Sequence, residues 1–162
     1  MKLKEKEDCT EKPRRLLENP DAKLSMYISD ISRLFNHMAK RGAEQRGVPA
    51  GYHRVMLELG RNDGITQLGL ARLTRLSAPT VSVAVTKMVS DGLARREADK
   101  QDMRQLRVYL TEKGRESVDK VRASFREADG VLCGALTEEE LGVMMPLLRK
   151  MLVHLLEEED KA

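Results

Sequence analysis

The chain has 162 residues, of which 34% are charged and 3% aromatic; it has no Trp and a net charge of +3. That length suits one domain, or one domain with an assembly element, and a core of Leu, Val, Met and Ala favours helices over sheets. The composition excludes a membrane span, because no run of about 18 apolar residues occurs. Cys9 and Cys133 form neither a disulfide framework nor a metal motif, and His37, His53 and His154 stand apart from acidic or Cys clusters.

Residues 1–22 read as a charged, partly disordered tail with Pro13 and Pro20, in which Leu16 and Leu17 are the residues suited to docking. The start, MKLKEKEDCTEKPRR, lacks the apolar stretch of a signal peptide, so a cytoplasmic location is expected. From Lys23 to Arg41, Leu24, Tyr27, Ile28, Ile31, Leu34, Phe35 and Met38 recur at helical spacing and give one wide apolar face. Gly42 and Gly47 are expected to loosen the chain after it. Pro49 then opens a second helix with Val55, Met56 and Leu59 inward, and Asn62-Asp63-Gly64 turns the chain.

Ile65 suits a short strand. Thr66 is the expected N-cap of a helix over Gln67–Arg75 carrying Leu70, Ala71 and Leu73. After a tight connection at Leu76, Ser77 caps a helix over Pro79–Ser90, which Asp91-Gly92 ends. Two strand-like runs follow, Leu93–Glu97 and Gln105–Leu110, joined by the polar turn Asp99–Arg104. Thr111 then caps a long helix with a heptad-like seam of Val118, Val121, Phe125, Ala128 and Leu132, weakened near its end by Gly130 and Gly134. Cys133 is expected to be buried there. The last helix begins at a capping box, Thr137-Glu138-Glu139-Glu140. Its apolar face runs from Leu141 to Leu156, and Pro146 is expected to bend or break it.

Charge is unevenly spread. Residues 61–115 hold 11 Lys/Arg against six Asp/Glu, a net +5, whereas residues 116–162 hold six against 11, a net −5. The basic segment coincides with the helix and ribbon, where a polyanion would bind. On the helix over Pro79–Ser90, Val81, Ala84, Val85 and Met88 share the inner face. Ser77, Pro79, Thr80, Ser82, Val83, Thr86 and Lys87 share the outer one. Small groups let a backbone approach a major-groove floor, hydroxyls bond base edges or phosphates, methyls meet thymine methyls, and Lys87 neutralises phosphate. On the ribbon, Arg104 suits a narrow minor groove, with Lys100 beside it and Asp102 placed to hold the Arg or the turn. Arg95, Arg96 and Arg107 are expected on the DNA backbone or balancing nearby acids. A helix beside a charged two-stranded ribbon is the plan of a winged helix-turn-helix.

These residues resemble the MarR family of bacterial transcription regulators. The likeness lies in Leu70-Ala71, the Ser-x-x-Thr-Val-Ser of Ser77–Ser82, Gly92-Leu93 before the wing, Asp102-Met103-Arg104 at its tip, and Leu110-Thr111-Glu112-Lys113-Gly114 after it. It covers Leu24–Glu158. Ala94 departs from it, standing where a larger aliphatic is common. The resemblance implies a mainly α fold with a small β-ribbon (α+β): a DNA-binding lobe at 48–110, with dimerisation helices at 23–47 and 111–160. It implies a homodimeric repressor on a pseudo-palindromic operator, released by a small aromatic or phenolic effector; His37, Arg41, Tyr52, His53 and Met56 are the candidate pocket by position. Two alternatives stay open: a winged-helix module that binds protein rather than DNA, and a redox-sensing regulator using Cys9. No phosphate-cradling Gly loop, metal cluster or nucleophile–base pair suggests an enzyme.

Overall fold

The computed structural model describes residues 11–49, 51–99, 102–103 and 105–161, with Glu11 and Lys12 described by their backbone alone. The described residues form α1 (Glu11–Leu17), α2 (Leu24–Gln45), α3 (His53–Leu59), β1 (Ile65–Thr66), α4 (Gln67–Thr74), α5 (Ala78–Ser90), β2 (Ala94–Ala98), β3 (Leu106–Leu110), α6 (Glu112–Cys133) and α7 (Glu138–Glu159). They fall into two compact units that part after Glu127. Among these residues no helix is long and apolar enough to cross a membrane.

Side-chain caps set three of the helix starts in the first unit. Thr66 Oγ1 accepts from Gly69 N at 3.1 Å and Ser77 Oγ from Thr80 N at 3.3 Å. Thr111 Oγ1 accepts from Gly114 N at 3.1 Å while donating to Gly92 O at 2.7 Å, so a single hydroxyl starts α6 and ties it to the end of α5. Gly92, at φ 70°, supplies the left-handed position that releases the chain from α5 into β2. Because Thr66 satisfies an otherwise orphaned amide of α4, Thr66→Ala is expected to lower stability by about 1 kcal/mol, read as a lower urea midpoint at unchanged slope.

Three local expectations are corrected. α2 does not stop at Arg41 but runs through Gly42 to Gln45. A Cβ on Gly42 would lie 3.2 Å from Ser124 Cβ, so that glycine marks a close approach of α2 to α6 rather than a loosening. The next helix begins at His53 rather than Pro49, because Gly51, at φ 103°, lies outside the helical region. Part of the charged tail, Glu11–Leu17, is helical; Leu16 is buried and Leu17 exposed.

The core gathers Val48, Tyr52, Val55, Met56 and Leu59 with Leu70 of α4, Val81, Val85 and Met88 of α5, Leu93, Val108 and Leu110 of the ribbon, and Val118 and Val121 of α6. Fully burying each large apolar side chain contributes about 1.5–3 kcal/mol. Phe35 and Phe125 meet edge to face, their ring centroids 5.8 Å apart. The expected two-stranded ribbon gains a third member: the antiparallel sheet has the order β1-β3-β2, with Ile65 opposite Val108 and Ala94 opposite Leu110.

In the second unit, α7 has the expected capping box, with Thr137 and Glu140 each accepting from the other's backbone N–H. It runs through Pro146 without interruption, so no break occurs there. None of its residues is buried. Cys133, expected to be buried, is only half-buried, because α6 ends at that residue.

Candidate nucleic-acid interface

α4 and α5 are joined through Arg75, held at φ 51°, with Leu76 N donating to Ala71 O at 3.2 Å. Thr74, fully buried, donates its hydroxyl to Leu70 O at 2.6 Å, so this tight corner leaves no wet polar group inside. α5 then seats Val81, Ala84, Val85 and Met88 in the core and leaves Ser77, Pro79, Thr80, Ser82, Val83, Thr86 and Lys87 exposed, the division expected from the sequence. Not all of the outer hydroxyls are free. Ser77 Oγ and Thr80 Oγ1 share a hydrogen bond at 2.7 Å, and Thr86 Oγ1 donates to Ser82 O at 2.8 Å.

The ribbon's charges are more committed than the sequence suggested. Arg95 pairs with Glu97 and lies over the Tyr109 ring at 4.7 Å. Arg96 reaches across to α5, its Nη2 donating to Thr86 Oγ1 at 2.7 Å. Arg107 points into the base of the wing, where its Nε pairs with Asp99 and its Nη1 donates to Gly64 O at 2.8 Å. Arg107 therefore balances a nearby acid, one of the two roles expected for it. Asp102 holds the turn: its N donates to Asp99 Oδ1 at 3.1 Å, and its Oδ2 accepts from Gln105 Nε2 at 3.1 Å. Lys100 and Arg104, expected at the tip, lie outside the described residues, as does Cys9.

Sequence reasoning missed two organisers. Asp99 is buried, and it orients both Arg107 and the wing turn. Asp63 accepts from Leu110 N through one oxygen and from Arg115 through the other, each at 2.8 Å, and so locks the chain before β1 to β3 and α6. Asp99, the first residue of the polar turn after the strand-like run, was a readable side-chain turn signal. The partners of Asp63 lie too far along the chain for any local pattern to show.

The five effector candidates do not line one opening. Tyr52, His53 and Met56 are core residues, while His37 and Arg41 are exposed on α2. Tyr52 donates its hydroxyl to Asp91 Oδ2 at 2.9 Å; burial first, then Asp91, pushes its pKa well above the ordinary tyrosine value. A groove of about 470 Å³ lies instead between α1 and α2, lined by residues including Arg15, Leu16, Met26 and Asp30. His53 sits with Nε2 3.4 Å from Val48 O, and its Nδ1 is buried without a partner among the described residues. Burial lowers its pKa from 6.5. The fold thus holds His53 neutral, whereas the unfolded chain takes up a proton as the pH falls through 6.5. Stability is full above that pH and declines below it. His53→Phe is expected to flatten that acid limb in a series of urea midpoints against pH.

The order helix, strand, helix, helix and two-stranded wing, with α5 exposed beside the wing, defines a winged helix-turn-helix protein. Residues 46–105 match the model of the MarR family. The HTH-type transcriptional regulator BilQ of Clostridium symbiosum is 27% identical over 125 residues, 77% of this chain and 87% of that protein. A putative MarR-like transcription regulator from Bacillus cereus, 26% identical, has a crystal structure similar to this one at a TM-score of 0.73, covering 82% of this chain and 95% of that one. A mutant MarR from Escherichia coli complexed with operator DNA is 19% identical and shares the fold at a TM-score of 0.70, over 80% of this chain and 93% of its own. Over residues 46–105 the chain matches the MarR family, and over most of its length it is similar to transcriptional regulators of the same fold.

Proposed function

We propose that this regulator is a homodimeric repressor that binds a pseudo-palindromic operator in double-stranded DNA, with α5 in the major groove and the wing beside it. The observation that carries the reading is the outer face of α5. Thr80, Ser82, Val83, Thr86 and Lys87 are exposed together on a helix whose other face is core, next to a ribbon bearing Arg95 and Arg96. The E. coli neighbour with operator DNA has the same fold. Dimerisation draws support from α7: Val143, Leu152 and Leu155 are 66%, 60% and 66% exposed, on a helix that buries nothing in the single chain. A second copy presenting the same stripe is the self-complementary partner that a two-fold interface requires.

The proposal includes a small aromatic or phenolic effector and a cytoplasmic location. Tyr52, His53 and Met56 leave such a molecule no room without opening the core. The groove between α1 and α2 falls within the about 300–1,000 Å³ range of small-molecule sites.

The test is selection of duplexes from a randomised pool, followed by affinity measurement across a salt series. The expected result is enrichment of an inverted repeat whose affinity falls on the order of a hundredfold between roughly 50 and 200 mM salt, as about four neutralised phosphates require. Enrichment of no sequence at low salt would overturn the DNA reading and favour a protein-binding winged helix.

A further inference from the structure

We infer that Thr86 reads the operator through its methyl group, and that Arg96 is the positioning residue that fixes it in that role. The inference rests on the proposed DNA reading and sharpens it to one contact class: the 5-methyl of a thymine in the major groove.

A threonine hydroxyl has one hydrogen and two acceptor lone pairs to offer. At Thr86 the hydrogen goes to Ser82 O, one turn back, at 2.8 Å. One lone pair goes to Arg96 Nη2 at 2.7 Å, and the same nitrogen lies 3.4 Å from Ser82 O. The hydroxyl therefore has no hydrogen left to donate to a base acceptor, and a cation occupies its approach. What this exposed side chain can still offer a base is a second lone pair, on an oxygen already crowded by the Arg96 guanidinium, and the unobstructed methyl.

Arg96 matters because threonine in a helix divides between two side-chain rotamers, either of which can bond a carbonyl of the preceding turn. A guanidinium reaching in from β2 selects the rotamer that turns Oγ1 toward the ribbon, and it fixes where the methyl stands. Arg96 Nε is buried without a partner among the described residues, and an unpaired buried donor costs stability. What the arrangement supplies is geometry: wing and recognition helix are tied through the side chain that faces the groove. Its neighbours share that apolar character, since Val83 on the same face is 59% exposed.

The experiment uses the full chain and the duplexes recovered by selection. Each dT of a half-site is replaced in turn by dU, which removes the 5-methyl and leaves every hydrogen-bonding group in place. Affinities are read by fluorescence anisotropy. The wild type is expected to show a dT in each half-site whose replacement weakens binding about fourfold, the factor one buried methyl supplies. Thr86→Ser, which keeps the hydroxyl network and lacks the methyl, should bring that ratio to one; Thr86→Val should preserve it. Arg96→Ala should cut it to about half, because the methyl is then divided between two rotamers, whereas an arginine that only neutralised phosphate would change overall affinity and leave the ratio intact. A wild type with no dU-sensitive position, or a Thr86→Ser protein with the ratio unchanged, would overturn the inference while leaving the DNA reading in place. An unchanged ratio in Arg96→Ala would overturn the role of Arg96. A pool that yields no duplex would instead overturn the DNA reading itself.

Discussion

Gly114→Ala is expected to destabilise the protein by about 3 kcal/mol, at the upper end for overpacking, because the clash is with backbone rather than with a movable side chain. Gly114 lies in the first turn of α6, and a Cβ there would stand 2.0 Å from Leu93 O and 3.1 Å from Leu110 Cδ2. Leu93 O already accepts from Thr111 N at 3.1 Å, so it cannot retreat without releasing the base of the wing. Helix propensity alone gives the opposite sign: alanine is better than glycine in a helix interior by about 1 kcal/mol. Gly130→Ala, later in the same helix and with nothing within 4 Å of the added carbon, should gain from that term. The pair is checked by urea denaturation of both variants. A stable Gly114→Ala protein would show that α6 and the wing are not in contact here as described.

Leu152→Asp is expected to leave the winged lobe folded and to weaken operator binding by a factor on the order of 10²–10⁴, the advantage lost when two linked half-site contacts become independent. Leu152 is 60% exposed in the single chain, and a charge at such a position in a monomer changes stability by about 0.5 kcal/mol or less. In a dimer interface the same charge would be buried without a partner, and the copies would part. Sedimentation would report the change of mass, and anisotropy on the selected duplex the loss of affinity. A monomeric wild type, or a Leu152→Asp protein that stays dimeric, would remove α7 as the interface.

The sequence was most legible where a single residue announces a local event. Thr66, Ser77, Thr111 and Thr137 accept the backbone hydrogen bonds expected of caps, and Gly92 takes the left-handed position after α5. The two faces of α5 were legible for the same reason, since helical period alone separates Val81, Val85 and Met88 from Ser82, Val83 and Thr86. What escaped was non-local. The short strand at Ile65 was expected, but not its pairing with β3, some 40 residues on. Gly42 looked like a helix breaker because nothing nearby shows that Ser124 sits against it. Tyr52, His53 and Met56 were pocket candidates by position, yet they follow the same inward spacing as Val55 and Leu59 and are buried with them. Arg95, Arg96 and Arg107 read alike as basic residues of a wing; the fold gives each a different set of partners, Glu97 with Tyr109 for Arg95, Thr86 for Arg96, and Asp99 with Gly64 for Arg107.

The central claim is that two copies of α5, held in a two-fold dimer by the terminal helices, read two half-sites of one duplex. Hydroxyl-radical footprinting on the selected operator tests it most directly. The account predicts two protected stretches related by the inverted repeat, their centres one helical turn apart, about 10 base pairs. A single protected half-site, or protection without two-fold symmetry at saturating protein, would contradict it.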